Sequence, residues 1–379
     1  SADDVLLGQP ASAEEAPAKT TKKPAKLLDV KAAWAALEGS EDAAAYVAFR
    51  QQYGAANPFF DRLAGKRIEQ LGGADEAPAA AETEVAVLQP KQVDVQPAVE
   101  FSDVIECDTL VASPFDETAV AQGVDWNDVD AAAASSACQA AVNEHPNVPR
   151  LEYQYARALE KSGDDSEAAK YYGLAAGQGH VLAMSNLGVL YASGRGVEQN
   201  DKEAFRLYSL AVDKGDVGAM TNLGIFYASG RGIAQDDTKA VELWTVAATK
   251  GDVLAMSNLG MMYANGRGAE QSDAEAAKLW KAAADKGNAF AMYNLAFLLA
   301  NGSGVDKDPD AAAGLVIAAL QKRHGATMRD MQGGAERFDA EFRMALQRRL
   351  QEAGAYDGPI DGVFSEAMNS ALVKIAGQQ

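Results

Sequence analysis

Four near-identical segments spaced 36 residues apart constrain the fold of this chain more than any other feature. The first, AMSNLGVLYASGRG, begins at Ala183, and its copies begin at Ala219, Ala255 and Ala291. Each copy spaces its apolar residues helically, passes a Gly-x-Gly turn and continues into a second apolar helix. One helix hairpin cannot bury both of its faces, whereas a stack of hairpins can. The repetition therefore predicts an all-α solenoid of stacked helix hairpins.

Recurring residue types mark positions where stacked helices need them. A glycine in each of the first three copies is expected to let the two helices of a hairpin approach closely. A tyrosine three residues later is expected to fill the gap between hairpins, and the asparagines to satisfy loop backbone groups. The Gly-Arg-Gly turns lack the Lys-Ser/Thr of a phosphate loop, so their arginines are expected to bind carbonyls or neighbouring acids. The residues are Gly188, Gly224, Gly260, Tyr191, Tyr227, Tyr263, Asn186, Asn222, Asn258, Asn294, Arg195, Arg231 and Arg267.

The repeats also resemble a known family. Their pattern is A-x-x-x-L-G-x-x-Y-x-x-G-x-G, then D, then A-x-x-x-W/Y-x-x-A-A-x-x-G, met at about 183–218, 219–254 and 255–290. This pattern is similar to that of the Sel-one-like repeats, relatives of the tetratricopeptide repeat with slightly longer units. The resemblance implies a TPR-like, right-handed superhelix that binds proteins and has no enzymatic activity. We expect four such repeats over 183–326, preceded at 150–182 by a hairpin of tetratricopeptide type. The fourth copy departs from the pattern, as a terminal repeat does, at Ala296, Leu299, Ser303 and Val316.

A second resemblance follows Gly333-Gly334. The segment FRMALQRRLQEAGAYDGPIDGVFSEAMNSALVKIA is similar to the small three-helix peptidoglycan-binding fold at the ends of bacterial envelope proteins. Its Asp-Gly-Pro-Ile-Asp-Gly turn is the most specific part, although Ser365 stands where the family has glycine. The resemblance implies a three-helix domain at 333–379 with a glycan-binding motif. The residues that carry it include Leu346, Gln347 and Leu350, and the motif itself comprises Tyr356, Asp357, Gly358, Asp361, Gly362 and Phe364.

Composition divides the remainder of the chain. Residues 1–26 are rich in Ala, Pro, Glu and Lys without periodicity, which predicts a disordered leader. Residues 27–72 space their apolar side chains helically and predict a small helical unit. Residues 73–100 carry three prolines among Ala, Glu and Val and predict a flexible linker. Residues 101–149 are expected to cap the front of the hairpins.

The two cysteines, Cys107 and Cys138, lie in this capping segment, the first in a predicted loop and the second in a predicted helix. They are either two unrelated buried thiols or one disulfide. A disulfide would close a loop of about 30 residues and stabilise the fold by roughly 3–4 kcal/mol. Two cysteines without a third fit an oxidising compartment such as a periplasm. The start at Ser1, without Met or a signal-type apolar run, likewise fits a processed export precursor or a trimmed chain.

Charge and motif content argue against several classes of function. A formal net charge of −20 disfavours a nucleic-acid partner, because phosphate binding needs clustered Lys and Arg. No apolar run approaches the ~18–20 residues of a membrane span. The histidines His145, His180 and His324 have no second ligand at metal-binding spacing, and no G-x-S-x-G nucleophile motif occurs. We therefore expect no cofactor, no metal and no catalysis.

Positions at which the copies differ are the candidates for binding a partner. Two residues four apart on the first helix of each unit are rotated away from the Leu187 face. In a superhelix of this hand they are expected to line the inner, concave wall, where an apolar stripe suits a partner's helix or extended peptide. Packing between units could instead close the stripe into the core. The residues are Ser185, Val189, Thr221, Ile225, Ser257, Met261, Tyr293 and Phe297.

Together these features predict an exported, non-enzymatic, all-helical adaptor of a bacterial cell envelope. It would hold a protein client on the concave surface and be tethered to peptidoglycan by its terminal domain. Two alternatives stand beside this interpretation. One is a structural or regulatory interaction protein that does not bind glycan, and the other is the accessory region of a larger enzyme-bearing chain.

Overall fold

The computed structural model of the chain describes residues 42–53, 104–333, 335 and 337–377, together with Leu37, Ala64, Ile68 and Leu71. These residues form helices and turns without any strand, as the repeats predict. The predicted leader (1–26) and linker (73–100) lie outside the described residues. The chain divides into two compact units, 1–91 and 92–379.

The helices with described bounds are named α1 to α16 in chain order. They are α1 (Ala43–Tyr53), α2 (Glu106–Val111), α3 (Ala131–Glu144), α4 (Pro149–Ser162), α5 (Asp165–Gly177), α6 (Val181–Ser193), α7 (Asp201–Asp213), α8 (Val217–Ser229), α9 (Asp237–Thr249), α10 (Val253–Asn265), α11 (Asp273–Asp285), α12 (Ala289–Asn301), α13 (Pro309–Gln321), α14 (Gly325–Gln332), α15 (Ala340–Glu352) and α16 (Glu366–Ala376).

The first unit contains α1. Its N-terminus is capped by Asp42, whose side chain accepts a hydrogen bond from the backbone N–H of Ala44 at 2.9 Å. Tyr46 and Phe49 are buried, and the Tyr46 hydroxyl donates to the carbonyl of Leu37 at 2.6 Å. This helix confirms one helix of the predicted 27–72 unit. The rest of that unit falls largely outside the described residues.

In the second unit, α4 to α13 form five hairpins. We call the first helix of each hairpin its A helix and the second its B helix. Two B helices begin at a polar N-cap residue, because Asn200 and Ser272 accept hydrogen bonds from the backbone N–H groups of Glu203 and Glu275 at 3.1 and 3.2 Å. All five A helices end at a glycine in the left-handed conformation, which lacks the Cβ that would strain that turn.

The two helices of a central hairpin meet at a glycine. A Cβ atom added at Gly224 would lie 2.5 Å from Nε1 of Trp244, and that indole donates to the carbonyl of Thr221 at 3.0 Å. The close approach predicted from the sequence is therefore confirmed. In the last hairpin Ala296 replaces the glycine and Val316 replaces the tryptophan. Valine is smaller than tryptophan, which leaves room for the methyl group of Ala296. The glycine contact recurs between Gly188 and Tyr208 and between Gly260 and Trp280.

The Gly-Arg-Gly turns join neighbouring hairpins. Arg267 donates to both carboxylate oxygens of Asp237, the first residue of the preceding B helix, at 3.0 and 2.6 Å. It also donates to the carbonyl of Ala228 at 3.0 Å. Gly268 (φ +67°) packs on the backbone of Asp237, where a Cβ would come within 2.2 Å of the carbonyl oxygen. The prediction that these arginines pair with neighbouring acids is confirmed, and the equivalent pairs are Arg195 with Asp165 and Arg231 with Asp201.

A disulfide joins the two halves of the capping segment. Cys107 and Cys138 are bonded, with Cα atoms 4.7 Å apart, and tie α2 to α3. The sequence placed Cys107 in a loop, but it lies in α2. That helix has only six residues, too few to show the apolar periodicity by which a helix is recognised in a sequence.

A buried arginine fixes the capping segment to the first hairpin. Arg157 of α4 donates to the carbonyls of Val111, Ala112 and Val124 at 2.5, 2.9 and 2.8 Å. It stands six residues before the glycine that ends its A helix, at the position that Gly224 holds in a central repeat. The first hairpin therefore uses this position to hold the cap.

The C-terminal helices continue directly from the last hairpin. α14 begins 36 residues after α12, and His324 holds the N-cap position that Asn288 holds in α12. It is therefore the first part of a sixth A helix. It includes residues 327–332, which the sequence analysis assigned neither to the repeats nor to the C-terminal domain. The two helices that follow, α15 and α16, pack against α13 in the same compact unit. Lys307 in the loop before α13 pairs with Asp339 and Glu341 at the start of α15, each at 2.6 Å.

Candidate functional site: the A-helix stripe

Half of the residues predicted to line the inner wall are buried between repeats. These are the first member of each predicted pair, Ser185, Thr221, Ser257 and Tyr293. Ser185 donates to Asp216 at 2.5 Å and Thr221 to Asp252 at 3.1 Å, and each acceptor caps the next A helix. Their exposure on a solvent wall was therefore predicted wrongly. In a stack of hairpins these side chains face the neighbouring A helix, which the spacing within one helix does not reveal.

The other two buried members have local partners. Ser257 donates to the carbonyl of Val253 in its own helix at 3.0 Å. The hydroxyl of Tyr293 donates to Asp330 of α14. Burial and the Asp330 carboxylate together raise the pKa of Tyr293. Both residues belong to the packing of the array.

The second member of each pair lies nearer the surface. Val189 is 36% exposed, and Ile225 and Met261 are half-buried. Phe297 is also half-buried, because the C-terminal segment covers it: the Arg337 guanidinium lies 4.7 Å from the ring centre and the Phe338 ring 5.7 Å away. The part of the predicted stripe that the described residues leave uncovered is thus Val189, Ile225 and Met261.

Sequence reasoning missed one apolar residue beside this set. Leu254, in the first turn of α10, is 53% exposed. The equivalent positions in the other copies hold Leu182, Gly218 and Phe290, so no repeated residue type marked the position. We define the A-helix stripe as Val189, Ile225, Leu254 and Met261.

The asparagines of the repeats do not act as predicted where their bonds are described. Asn186 donates to the Tyr172 hydroxyl at 3.1 Å, and Asn294 donates to the carbonyl of Phe290 in its own helix at 2.8 Å. Neither amide satisfies a loop backbone group. Each of these two asparagines bonds within its own helix or to an adjacent B helix.

A buried polar cluster lies at the front of the array. His180 caps α6 through Nδ1, which accepts from the backbone N–H of Ala183 at 3.3 Å, and its Nε2 lies 3.3 Å from Asp116. The imidazole stacks on Tyr153 with ring centres 4.4 Å apart. Burial would raise the pKa of Asp116, but hydrogen bonds from His180 and Thr118 outweigh it and hold the pKa below its usual value. This cluster joins the capping segment to the second hairpin.

The C-terminal motif forms a structured turn. Gln347 of α15 is fully buried, and its side-chain oxygen accepts from the backbone N–H groups of Asp361 and Gly362 at 3.0 and 2.8 Å. Tyr356 is buried and donates to the carbonyl of Pro359 at 2.9 Å. Gln347 and Tyr356 thus hold the turn together. Asp357 and Asp361 are exposed, and Gly358 and Phe364 are half-buried.

Two further features bear on function. Among the described helices, not one combines the length and apolar character that crossing a membrane requires. Within the described part of the chain, no three His, Cys, Asp or Glu side chains come together as a metal site would need.

Comparison with known proteins agrees with the repeat architecture. The Sel1 repeat model matches residues 152–180, 181–216, 217–252, 253–288 and 289–321. Among solved structures, the chain is similar to a Sel1 repeat protein from Oxalobacter formigenes (26% identity, 56% of this chain and 62% of that chain, TM-score 0.48). It is also similar to a protective antigen present in uropathogenic Escherichia coli strains displaying an SLR fold (22% identity, 67% of this chain and 58% of that chain, TM-score 0.49). In both cases the match spans less than two thirds of the other protein's length.

A putative Sel1 repeat protein from Klebsiella pneumoniae is similar over 52% of this chain and 96% of its own, with 22% identity and a TM-score of 0.38. No curated protein sequence matches the chain. The sequence had assigned four repeats to 183–326 and a tetratricopeptide-type hairpin to 150–182, but the matched segments include that hairpin. Five consecutive segments of this protein, between residues 152 and 321, therefore match the Sel1 repeat.

Proposed function

We propose that this protein is a non-enzymatic scaffold that binds a protein client on the A-helix stripe. Sel1 repeats generally mediate protein–protein interaction. The observation that carries the proposal is that recurring positions and variable positions have different surroundings. Residues that recur from copy to copy are occupied in stacking, whereas the stripe residues differ between copies and leave apolar surface uncovered.

The chemistry of the stripe suits an apolar segment of a partner. Val189, Ile225 and Met261 follow one another at intervals of 36 residues, each on an A helix, and Leu254 widens the surface at α10. Apolar side chains in a regular row receive an amphipathic helix or an extended peptide through its own regularly spaced apolar residues. Burial of a few such anchors carries most of the affinity of such an interface.

The experiment is site-specific photo-crosslinking of the full chain, followed by affinity measurement with the client it identifies. A photo-reactive residue at Ile225 is expected to capture one dominant protein, whereas one at Leu210, an exposed apolar residue of B helix α7, is not. With that client purified, Ile225→Asp is expected to weaken binding at least about tenfold and Leu210→Asp by less than about twofold. Equal capture at both positions, or equal effects of both substitutions, would contradict the proposal.

We further propose that the protein is exported to the bacterial cell envelope and tethered to peptidoglycan by its C-terminal turn. The Cys107–Cys138 bond supports an oxidising compartment. The exposed Asp357 and Asp361 carboxylates on a turn braced by Gln347 supply hydrogen-bond acceptors at the surface. Tethering predicts that the full chain sediments with purified sacculi and that Asp357→Ala reduces the bound fraction. A chain that stays in the supernatant would favour an interaction protein without glycan binding.

A further inference from the structure

A cavity of about 520 Å³ lies where the capping segment meets the first two A helices. Loop residues 113–115 and residues 125–128, which include the 3-10 turn Trp126–Asp128, form one side of it. Tyr153 and Arg157 of α4, with Leu182 and Asn186 of α6, form the other. The cavity shares no residue with the A-helix stripe and is not explained by the repeat architecture.

The loop side of the cavity is held in place before any ligand arrives. Arg157 binds the carbonyls of Ala112 and Val124 at the two ends of the loop. Gly123 packs so closely on Pro114 that a Cβ there would lie 2.3 Å from the Cα atom of Pro114. A wall fixed in this way loses little conformational freedom on binding.

Two large aromatic side chains of the lining are exposed. Phe115 is 81% exposed and Trp126 is 41% exposed, whereas Trp244 and Trp280 of the array are buried. Exposed aromatic rings beside a cavity offer flat apolar faces for stacking. Two such rings at the rim of one cavity mark it as a candidate ligand-binding groove.

The polar groups of the lining include acceptors and donors that the protein does not use. No hydrogen bond or ion pair engages the side chains of Asp125, Asn127 and Asp128 in the part of the chain that the structure describes. Asn186 donates to Tyr172, and its side-chain oxygen has no described donor. The cavity therefore presents two carboxylates and two amides for hydrogen bonding.

The charges around the cavity disfavour an anion throughout and a cation at the Trp126 indole. The carboxylates of Asp125 and Asp128 repel an anion, and the guanidinium of Arg157 is taken up by backbone carbonyls. A cation is disfavoured at the indole, because Lys161 and Arg157 already lie 5.2 and 5.7 Å from the Trp126 ring centre. A neutral ligand that combines hydroxyl groups with an apolar face meets neither obstacle.

We propose that this cavity is a binding site for a neutral saccharide. The C–H face of a pyranose ring stacks on Trp126 or Phe115, and its hydroxyls donate to Asp125 and Asp128 and bond the amides of Asn127 and Asn186. The site lies at the front of the array and shares no residue with the C-terminal turn or with the stripe. The saccharide proposal can therefore be tested separately from client binding and from tethering.

The test is calorimetric titration of the full chain with chitotriose, cellotriose and maltotriose, and with tri-lysine as a cationic probe. At least one oligosaccharide is expected to bind with a Kd of about 10 µM to 1 mM, more tightly than tri-lysine. Trp126→Ala is expected to weaken binding at least about tenfold and Asp128→Ala about threefold or more. Trp126→Phe keeps an aromatic face and is expected to stay within about threefold of the parent.

Leu174→Ala is the matched control, because Leu174 is an exposed apolar residue of α5 outside the cavity. It is expected to leave the affinity within about twofold of the parent, and circular dichroism on every variant checks that the chain is folded. Three results would overturn the proposal: no oligosaccharide binding at about 5 mM, tri-lysine binding more tightly than every oligosaccharide, or an unchanged affinity in folded Trp126→Ala.

Discussion

The central repeats and the two ends of the array solve the same packing problem with different residues. Between 181 and 288, a glycine under an aromatic ring closes each hairpin and an arginine on an aspartate joins each hairpin to the one before. At the front, Arg157 occupies the glycine position and binds the capping segment. At the back, Ala296 faces Val316, and Ser303 stands in place of the arginine.

The difference shows what each position is for. The recurring arginine serves the contact between one repeat and the next, and the recurring glycine serves the contact between the two helices of one hairpin. A residue that differs between otherwise equivalent central repeats, such as Ile225 or Met261, is under no such constraint. This separation is why the variable A-helix positions are the place to seek a client.

Removal of the Cys107–Cys138 disulfide at the front end should lower the free energy of unfolding more than any substitution in the central repeats. In the double variant Cys107→Ala/Cys138→Ala, the unfolded chain regains the freedom of a loop whose ends are 31 residues apart. Chain-entropy reasoning gives a loss of about 3–4 kcal/mol in the free energy of unfolding. Urea denaturation followed by circular dichroism measures it. Reduction of the parent protein by dithiothreitol should reproduce the loss, and a change below about 1 kcal/mol would contradict this view of the front end.

A buried carboxyl makes the stability of the front end depend on pH. Burial raises the pKa of Glu152 from 4.5 to about 7. The hydrogen bond that Gln178 donates to it at 2.5 Å lowers the pKa, but by less than burial raises it. The folded state therefore holds a proton that the unfolded state releases between pH 4.5 and 7, so stability falls as pH rises through that window. Glu152→Gln should stabilise the protein by about 2–3 kcal/mol at pH 8 and much less at pH 5. A gain that does not change between the two pH values in urea unfolding would show that the carboxyl is ionised in the folded state.

The sequence specified the middle of the array far better than its ends. The 36-residue period located the central helices and the use of Gly224 and Arg267, because each of these contacts repeats. The position of Cys107 in α2 and the role of Arg157 depend on single tertiary contacts without a period. The burial of Ser185 and Thr221 was missed for a related reason. Helical spacing gives the direction of a side chain but not the neighbour that covers it.

In the middle of the array, the glycine–tryptophan contact can be broken and repaired. Gly224→Ala should cost about 2 kcal/mol, because its methyl group would overlap the Trp244 indole. In a Trp244→Val background, which recreates the Ala296–Val316 pair of the last hairpin, the same change should cost at least about 1 kcal/mol less. Gly218→Ala in the same helix serves as the control, with no loss expected, because its Cβ would meet only Oδ1 of Asp216 at an ordinary contact distance of 3.6 Å. The cycle is completed by chemical unfolding of the parent, the two single variants Gly224→Ala and Trp244→Val, and the double variant. Equal costs of Gly224→Ala in both backgrounds would disprove the compensation.

The arginine bridges should contribute least, because they are partly exposed to water. Arg267→Gln is expected to lower the free energy of unfolding by about 0.5–1 kcal/mol. Burial would raise the pKa of Asp237, but Arg267 and Gln235 hold it below its ordinary value, so this contribution is present at neutral pH and lost as the carboxyl protonates in acid. Arg206→Gln breaks only a pair with Glu203 inside α7 and should have a smaller effect. If both substitutions cost the same at pH 7, the bridge between repeats has no special role.

The central claim is that equivalent positions of successive repeats are interchangeable, and removal of one whole repeat tests it most directly. Deleting residues 217–252 places Asp216 at the cap of α10 and brings Arg267 opposite Asp201, so every contact between repeats is restored one unit earlier. Thermal unfolding by circular dichroism is predicted to show one cooperative transition with an unchanged helical signal per residue. Deleting 217–246 shifts the register and should abolish that transition. Loss of cooperative unfolding in the 36-residue deletion itself would contradict the account.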